Sequence, residues 1–449
     1  MRIPSAELLP ESAAAVLVAA GIGAGSRVCC ALSGGADSVV LFEVLRRLQP
    51  RLGFDLVAAH VDHGLSPSSA AWARTCAERC AAAGIPLQIF RVEVDRTHAD
   101  GLEAAARAVR HAALARVACD WLAFGHHQDD QAETLLFRLL RGSGVRGAAA
   151  MRAVEAGRPG RLRPLLGLRR TQLLDWAGAH GLAWVEDESN AELRFTRNAI
   201  RHRLLPVAKD LFPAAVPNLA RAAAHFAEAD ELLGELAAID AAACGAPLLR
   251  RADFLALSPA RQANLLRRML IGLDAPLPGS VVLGEALRQL RGCDSAHPLR
   301  LPLGPWACCA YRDRVWLELA EPPAPQERRW QGEAVLRWGA DELRFVESAG
   351  EGLDRVRLEL AGEVLLAPRR EGMRLRLHLS RPRRELRKLC QEAGIPAWLR
   401  DRLPVLWVGG EPAWVGGIGV AVEFACAPGA PGLVPDWRPG GVPEAAPSD

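Results

Sequence analysis

Lysine is nearly absent. Of the fifty-five basic residues in this chain of 449, only Lys209 and Lys388 are lysines, and the rest are arginines. No lysine lies near the Gly-rich turn Ser33-Gly34-Gly35-Ala36-Asp37-Ser38, so the phosphate-gripping lysine of a Walker-type loop is excluded. Cys-x-x-Cys pairs are also missing. The eleven cysteines sit mostly inside apolar runs, and Cys76 and Cys80 are four residues apart. They read as reduced, buried thiols of a cytoplasmic protein, not as a disulfide framework, a redox motif or a metal site. No uninterrupted apolar stretch reaches the length of a membrane span. Glu7 and Glu11 precede the apolar N-terminal run where a signal peptide would carry basic residues, so a cytoplasmic chain with no membrane partner is expected. The net charge is only +3, which neither demands nor forbids a polyanionic partner, so the distribution of charge matters more than its total.

What is present begins at "SRVCCALSGGADSVVLFEVL", residues 26–45. Val28 to Leu32 has the length and continuous apolarity of a buried parallel strand, and Val39, Val40, Phe42, Val44 and Leu45 recur at helical spacing. Between them, two glycines let the backbone approach an anion, the first helical N–H groups face it, and the hydroxyls of Ser33 and Ser38 add donors. An ordinary strand-to-helix turn capped by Asp37 or Ser38 explains a lone Ser-Gly-Gly equally well. Apolar strands over 27–32, 55–61, 87–94 and 121–125 alternate with helical patterns over 37–48, 68–83, 101–118 and 129–141. That alternation predicts an α/β fold, a doubly wound parallel sheet with ligands at the carboxyl ends of its strands. Polar clusters fall at three of those ends: SGGADS, "HVDHGLSP" and "GHHQDDQAET". Four domain segments are expected: a catalytic domain over 1–211, a helical middle domain over 212–325, a small α+β C-terminal domain over 331–430, and a flexible tail over 431–449.

In "GHHQDDQAET", Asp129, Asp130 and Glu133 share the first helical turn and are expected to converge on one face. They are candidates for holding Mg2+ on a nucleotide's phosphates (Asp129, Asp130) or for general acid–base work (Asp130, Glu133). Helix capping explains one acid there comfortably and three poorly. His126, His127, His60 and His63 could ligate a metal, but histidines at strand ends are usually satisfied locally. Arg107 and Arg110 stand at helical spacing from Glu103, where ion pairing and phosphate contact explain them equally.

The SGGADS turn resembles the pyrophosphate loop of the N-type ATP pyrophosphatase superfamily. Four further stretches narrow the resemblance: "HVDHGLSP", "GHHQDDQAETLLFRLLRGSG", "RPLLGLRRTQLLDWAGAHGLAWVEDESN" with "FTRNAIRHRLLP", and "LRKLCQEAGIPAWLRDRLPVLW". Together, over most of the chain, they are similar to the tRNA(Ile)-lysidine synthetase family. Ala148 and Ala150 stand where a leucine and a glycine are expected, and Glu192 where the family often has aspartate. These departures concern loop shape.

The resemblance implies an ATP- and Mg2+-dependent ligase. It would adenylate the carbon-2 carbonyl oxygen of the wobble cytidine in a tRNA(Ile) with a CAU anticodon, after which free L-lysine displaces AMP and decoding switches from AUG to AUA. It implies ATP contacts at Ser33, Gly34, Gly35, Ala36, Asp37, Ser38, Arg107 and Arg110, with Asp37 also catalytic. It implies lysine or anticodon contacts at Asp129, Asn190, Arg197, Asn198 and Arg201, and tRNA contacts at Arg381, Arg383, Arg384, Arg387 and Lys388. As a bare charge run, that last group would more often be a solvated face. The oligomeric state is open, with a homodimer as one candidate. A tRNA thiolase, an amide-forming synthetase with a glutaminase partner and a catalytically dead nucleotide-binding module are the competing readings. The missing Cys-x-x-Cys pairs, the tRNA-binding-like C-terminal part and the intact acids disfavour them in turn.

Overall fold

The structure is a computed structural model and describes residues 5–95, 102–186 and 196–438. It divides into two compact units, Met1–Leu232 and the remainder from Leu233.

The first unit opens with α1 (Ser5–Ala19) and then alternates strictly. Its elements are β1 (Arg27–Ala31), α2 (Ala36–Leu52), β2 (Asp55–Asp62), α3 (Ser69–Ala83), β3 (Leu87–Arg91), α4 (Leu102–Leu114), β4 (Trp121–Ala123) and α5 (Gln128–Leu140). There follow α6 (Val145–Ala148), β5 (Val154–Glu155), β6 (Gly160–Leu162), α7 (Arg170–Ala179) and α8 (Thr196–Ala199). A π-helical turn over Ile200–Leu204 then leads into α9 (Leu205–Leu211) and the long α10 (Ala215–Cys244). The sheet runs β3-β2-β1-β4-β6-β5, parallel except for β5.

Successive strand residues serve opposite faces. Val28 and Cys30 of β1, with Leu56 and Ala58 of β2, pack under α1, α2 and α7, while Cys29, Val57 and Ala59 pack against Leu114 and Phe124 on the other face. The doubly wound expectation therefore holds. Because β1 lies between β2 and β4, the chain reverses its direction of winding there, and the crevice between the carboxyl ends of β1 and β4 is the switch point where such sheets bind ligands.

Two boundaries differ from expectation. The first unit runs past residue 211 to Leu232, because Val216, Leu219 and Ala223 of α10 pack on Ala132, Leu135 and Leu136 of α5. In the second unit the expected flexible tail from 431 begins instead as a strand. Pro431–Arg438 pairs antiparallel with Asp341–Ala349, and Leu433 is buried in the C-terminal core, so the pairing outweighs the Pro/Gly content of the tail.

The helical middle segment, with helices Pro259–Gly272 and Ser280–Gly292, carries in addition a four-stranded antiparallel sheet that includes Trp306–Tyr311 and Arg314–Leu319. The C-terminal part is α+β, with antiparallel sheets and the expected helix at Leu386–Glu392. Ala150, where a glycine is expected, sits at φ 51°, in the left-handed region that favours glycine. Arg138 donates to its carbonyl at 2.8 Å and to that of Gly147 at 2.9 Å, which holds the turn. Asn190 and Glu192 lie outside the described residues.

Candidate functional site

The turn after β1 is built around one hydroxyl. Ser38 Oγ accepts from the N–H of Ser33 at 3.2 Å and of Gly34 at 3.1 Å, and it donates to the carbonyl of Gly35 at 2.9 Å. Ser38 is therefore occupied inside the loop, shaping it rather than reaching outward as expected. Gly34 has φ 92°, and a Cβ there would lie 3.3 Å from Cys76 Sγ. Asp37 follows in the first turn of α2.

Across the crevice, Gly125 ends β4 against that same turn. A Cβ on Gly125 would lie 2.7 Å from the Asp37 carbonyl oxygen and 3.1 Å from Ser38 N, so only glycine permits this approach. The contact brings α5 beside α2. His127 caps α5, its Nδ1 accepting from the Asp130 N–H at 3.3 Å while the Asp130 carboxylate accepts from the His127 N–H at 3.1 Å. Gln131 clamps the opposite side of the helix through reciprocal bonds to the backbone of Met151 at 2.8 and 3.0 Å.

The three acids do not converge on one point as expected. Asp130 and Glu133 share Arg201, which donates to Glu133 Oε1 at 2.6 Å and to Glu133 Oε2 and Asp130 Oδ1 at 2.9 Å each. Asp129, one residue before Asp130, instead takes Lys209 Nζ at 3.1 Å and the Arg170 N–H at 3.0 Å. Both Asp129 oxygens tie α5 to α7 and α9, and the expected metal or ammonium role for this residue is not supported by its surroundings. Arg197 reaches Thr134 Oγ1 at 2.6 Å. Arg197 and Arg201 lie one turn apart, Arg201 within the π-helical turn, a widened geometry that often accompanies functional sites.

The electrostatics follow this layout. Burial tends to raise the Asp37 carboxyl, but His127, Arg170 and Arg201 outweigh it and hold it below its ordinary range. Burial pushes the Glu133 carboxyl above its usual range even with Arg201 alongside. Burial disfavours a charge on His127, yet Asp37, Asp130 and Asp129 raise its pKa overall. Burial lowers His126 well below its usual range, and Arg163, Arg110, Arg107 and Arg197 lower it further. The charges of Arg107 and Arg110 thus bear on His126 along with those of Arg197 and the buried Arg163.

In "HVDHGLSP", His60 Nδ1 lies 2.8 Å from the Leu32 carbonyl and Asp62 accepts from the Gly64 N–H, so these are local structural contacts. Among the described residues no cluster of His, Cys, Asp and Glu forms a metal site by itself. Of the C-terminal basic run, Arg384 pairs with Glu392 at 2.5 Å and Arg383 with Glu423 and Glu411 at 3.2 and 3.3 Å. Among the described residues, Arg381, Arg387 and Lys388 have no acidic partner.

Sequence reasoning missed the roles of Gly125, Arg170, Lys209 and Arg163. Gly125 and Arg170 lie inside the quoted motifs. Arg163 opens the quoted stretch "RPLLGLRRTQ", and for Lys209 the only signal was its rarity.

Three family models match the chain: a PP-loop domain over residues 11–208, a TilS substrate binding domain over 249–316 and a TilS substrate C-terminal domain over 364–437. A tRNA(Ile)-lysidine synthase of Azoarcus sp. (strain BH72) is 56% identical over 95% of both chains. One from Aromatoleum aromaticum is also 56% identical, over 94% of this chain and 100% of its own. Among solved structures, a crystal structure of a TILS C-terminal domain aligns at 18% identity and TM-score 0.22, covering 25% of this chain and 98% of its own. The U34-tRNA thiolase NcsA from Methanococcus maripaludis with its [4Fe-4S] cluster aligns at 18% identity and TM-score 0.43, over 50% of this chain and 79% of its own.

The Gly125 contact is testable. Gly125→Ala must displace the first turn of α2, so ATP affinity measured by calorimetry is expected to fall by at least about tenfold, since a misplacement near 1 Å is worth that or more. Unchanged affinity would show that the loop tolerates the shift.

Proposed function

The chain belongs to the tRNA(Ile)-lysidine synthase family, and from that premise we propose how its residues carry ATP-dependent lysidine formation on tRNA(Ile). The observation that carries the reading is an acid of the ATP loop and an acidic pair already holding a cation, set on either side of one buried imidazole. We assign adenylation of the carbon-2 carbonyl oxygen of the wobble cytidine, with loss of pyrophosphate, to the crevice between β1 and β4. Displacement of AMP by the ε-amine of free L-lysine belongs beside Glu133. Decoding of the CAU anticodon would then switch from AUG to AUA.

In this reading the N–H groups of Gly35 and Ala36 line the phosphate cradle, and Ser38, which accepts from those of Ser33 and Gly34, keeps that cradle in shape. Mg2+ fits Asp37 best: its Oδ1 is buried without a hydrogen-bond partner, and a hard cation that takes its remaining ligands from phosphates and water needs only one or two carboxylates. Asp130 is the second candidate ligand. Bound there, the ion would offset charge on the departing pyrophosphate.

Arg201 occupies the place a substrate ammonium needs, since its guanidinium satisfies both Glu133 oxygens. Lysine binding therefore requires Arg201 to yield at least one of these contacts, freeing it for a phosphate or for the cytidine. Glu133 is the better candidate for the base that takes the amine proton, because burial already raises its affinity for a proton. The arginines whose charges bear on His126, Arg107, Arg110, Arg163 and Arg197, supply a positive wall for nucleotide or anticodon phosphates, and Asn198 stands beside the last of them in sequence. We assign residues 1–211 to catalysis and 212–325 and 331–430 to holding the tRNA. The reaction belongs to the cytoplasm, in keeping with eleven free cysteines and no helix among the described residues long and apolar enough to cross a membrane.

The direct test is incubation with ATP, magnesium, labelled lysine and total tRNA, followed by nucleoside analysis. Labelled lysidine in tRNA(Ile) is expected, and label in no nucleoside would refute the reading. Glu133→Gln is expected to let adenylation proceed while slowing displacement about 100-fold, within the range for loss of a general base. Adenylated tRNA should then accumulate in a single-turnover quench. A parallel fall of both steps would move Glu133 to the metal site.

The C-terminal run predicts a graded response. Neutralising the unpaired Arg381, Arg387 and Lys388 should reduce the salt slope of tRNA binding by roughly one unit per lost phosphate contact. Neutralising Arg383 and Arg384, which already face carboxylates, should change it less. Equal effects would show that the ion pairs open on binding.

A further inference from the structure

His127 is buried to 1% exposure, yet its Nε2 has no hydrogen-bond partner. A buried donor left without an acceptor is costly and calls for an explanation. Capping accounts only for Nδ1, which accepts from the Asp130 N–H. Any histidine that merely capped α5 could be an asparagine or serine, residues that cap better. Nε2 is aimed between two carboxylates on different helices, 3.6 Å from Asp37 Oδ2 and 3.4 Å from Asp130 Oδ2. Asp129 Oδ2 lies 4.0 Å from the other ring nitrogen, while Arg170 and Arg201 face Asp37 and Asp130 from beyond the ring. The cap requires the ring with Nδ1 unprotonated, which places its hydrogen at Nε2.

We propose that His127 is a positioning residue that couples the two half-reactions, its Nε2–H closing onto Asp37 when ATP engages the loop and holding that carboxylate at a fixed separation from Asp130. The proposal rests on the functional reading above. Asp37 serves the nucleotide and Asp130 borders the amine pocket, and both are anionic. Without a donor between them they repel across the crevice, and neither is held in place from the other's side. A closing shift of about half an ångström brings Nε2 within ordinary hydrogen-bond distance of Asp37, which also has the unsatisfied Oδ1. The same ring is anchored at its other nitrogen to the backbone of α5, so a movement of Asp37 on ATP binding is passed directly to the helix that carries Asp130 and Glu133.

Two substitutions separate this role from capping. His127→Asn keeps a short side-chain acceptor for the Asp130 N–H but cannot reach Asp37. His127→Gln can place an amide donor near the Nε2 position while capping poorly. The full-length protein should be assayed for thermal midpoint, for ATP affinity by calorimetry, and for single-turnover tRNA adenylation and lysine transfer.

His127→Asn is expected to melt like the wild type and to keep its KM for tRNA, but to adenylate about 100-fold more slowly, the scale of a roughly 1 Å misplacement. His127→Gln should recover part of that rate despite a lower midpoint. Wild-type rates in His127→Asn would overturn the proposal, and so would a glutamine variant no faster than asparagine. If the wild type binds ATP but adenylates no tRNA, the functional reading fails and takes this proposal with it. A wild type that forms lysidine beside an unimpaired asparagine variant sinks the proposal alone.

Discussion

The site depends on one backbone contact, the approach of Gly125 to the first turn of α2. A parallel sheet places the ends of β1 and β4 next to each other, but adjacency of strands does not by itself bring the following helices within side-chain reach. With no Cβ at 125, the β4 loop lies against the carbonyl of Asp37 at a distance no other residue allows. Asp37, His127 and Asp130 are neighbours because of that contact. Strand order sets the topology of the crevice, and a missing methyl group sets its width.

Bringing acids together under cover creates a charge problem, which is solved from farther along the chain. Glu133 is 2% exposed, and an unpaired carboxylate so deep would cost several kcal/mol. Arg201 satisfies both of its oxygens and one of Asp130's, while Lys209 and the Arg170 amide satisfy Asp129. The segment over 196–211 thus acts as a counterion for the acids of α5. A substrate ammonium that replaces one Arg201 contact exchanges one buried ion pair for another, so the acids need never be left bare. Exchange of this kind is also why a site so dense in charge can remain folded without its ligands.

The βα alternation was legible because each early strand is a short continuous apolar run bounded by turn residues, and each helix repeats its apolar face several times. The three residues of β6 carry no period to detect, and Gly160 reads as a breaker although it lies in the sheet, where a Cβ would strike the Trp121 ring. The strand over 431–438 was read as a tail because its prolines and glycines mask the alternation, whereas its place is set by the partner strand at 341–349, some ninety residues earlier. The motif acids were found, but their split was not. Spacing places Asp129, Asp130 and Glu133 on one turn, while the cations they meet come from positions 201 and 209, whose folding against α5 no local pattern reveals. For the same reason Arg383 and Arg384 looked available in sequence and are paired with acids from 392, 411 and 423.

The scarcity of lysine has a chemical consequence at such a site. An adenylated base is an electrophile waiting for an amine, and any neutral lysine side chain within reach would compete with the free amino acid. Arginine supplies positive charge without a basic form at neutral pH, because its guanidinium does not deprotonate in proteins. The arginines at 107, 110, 163, 170, 197 and 201 can therefore hold anions without becoming nucleophiles. Lys209 is the single lysine of the first unit, and its ammonium is tied to Asp129 at 3.1 Å. Asp129 thus holds one cation of the chain and the neighbouring pair another, Arg201, and it is the latter that the free amine would displace on the reading proposed above.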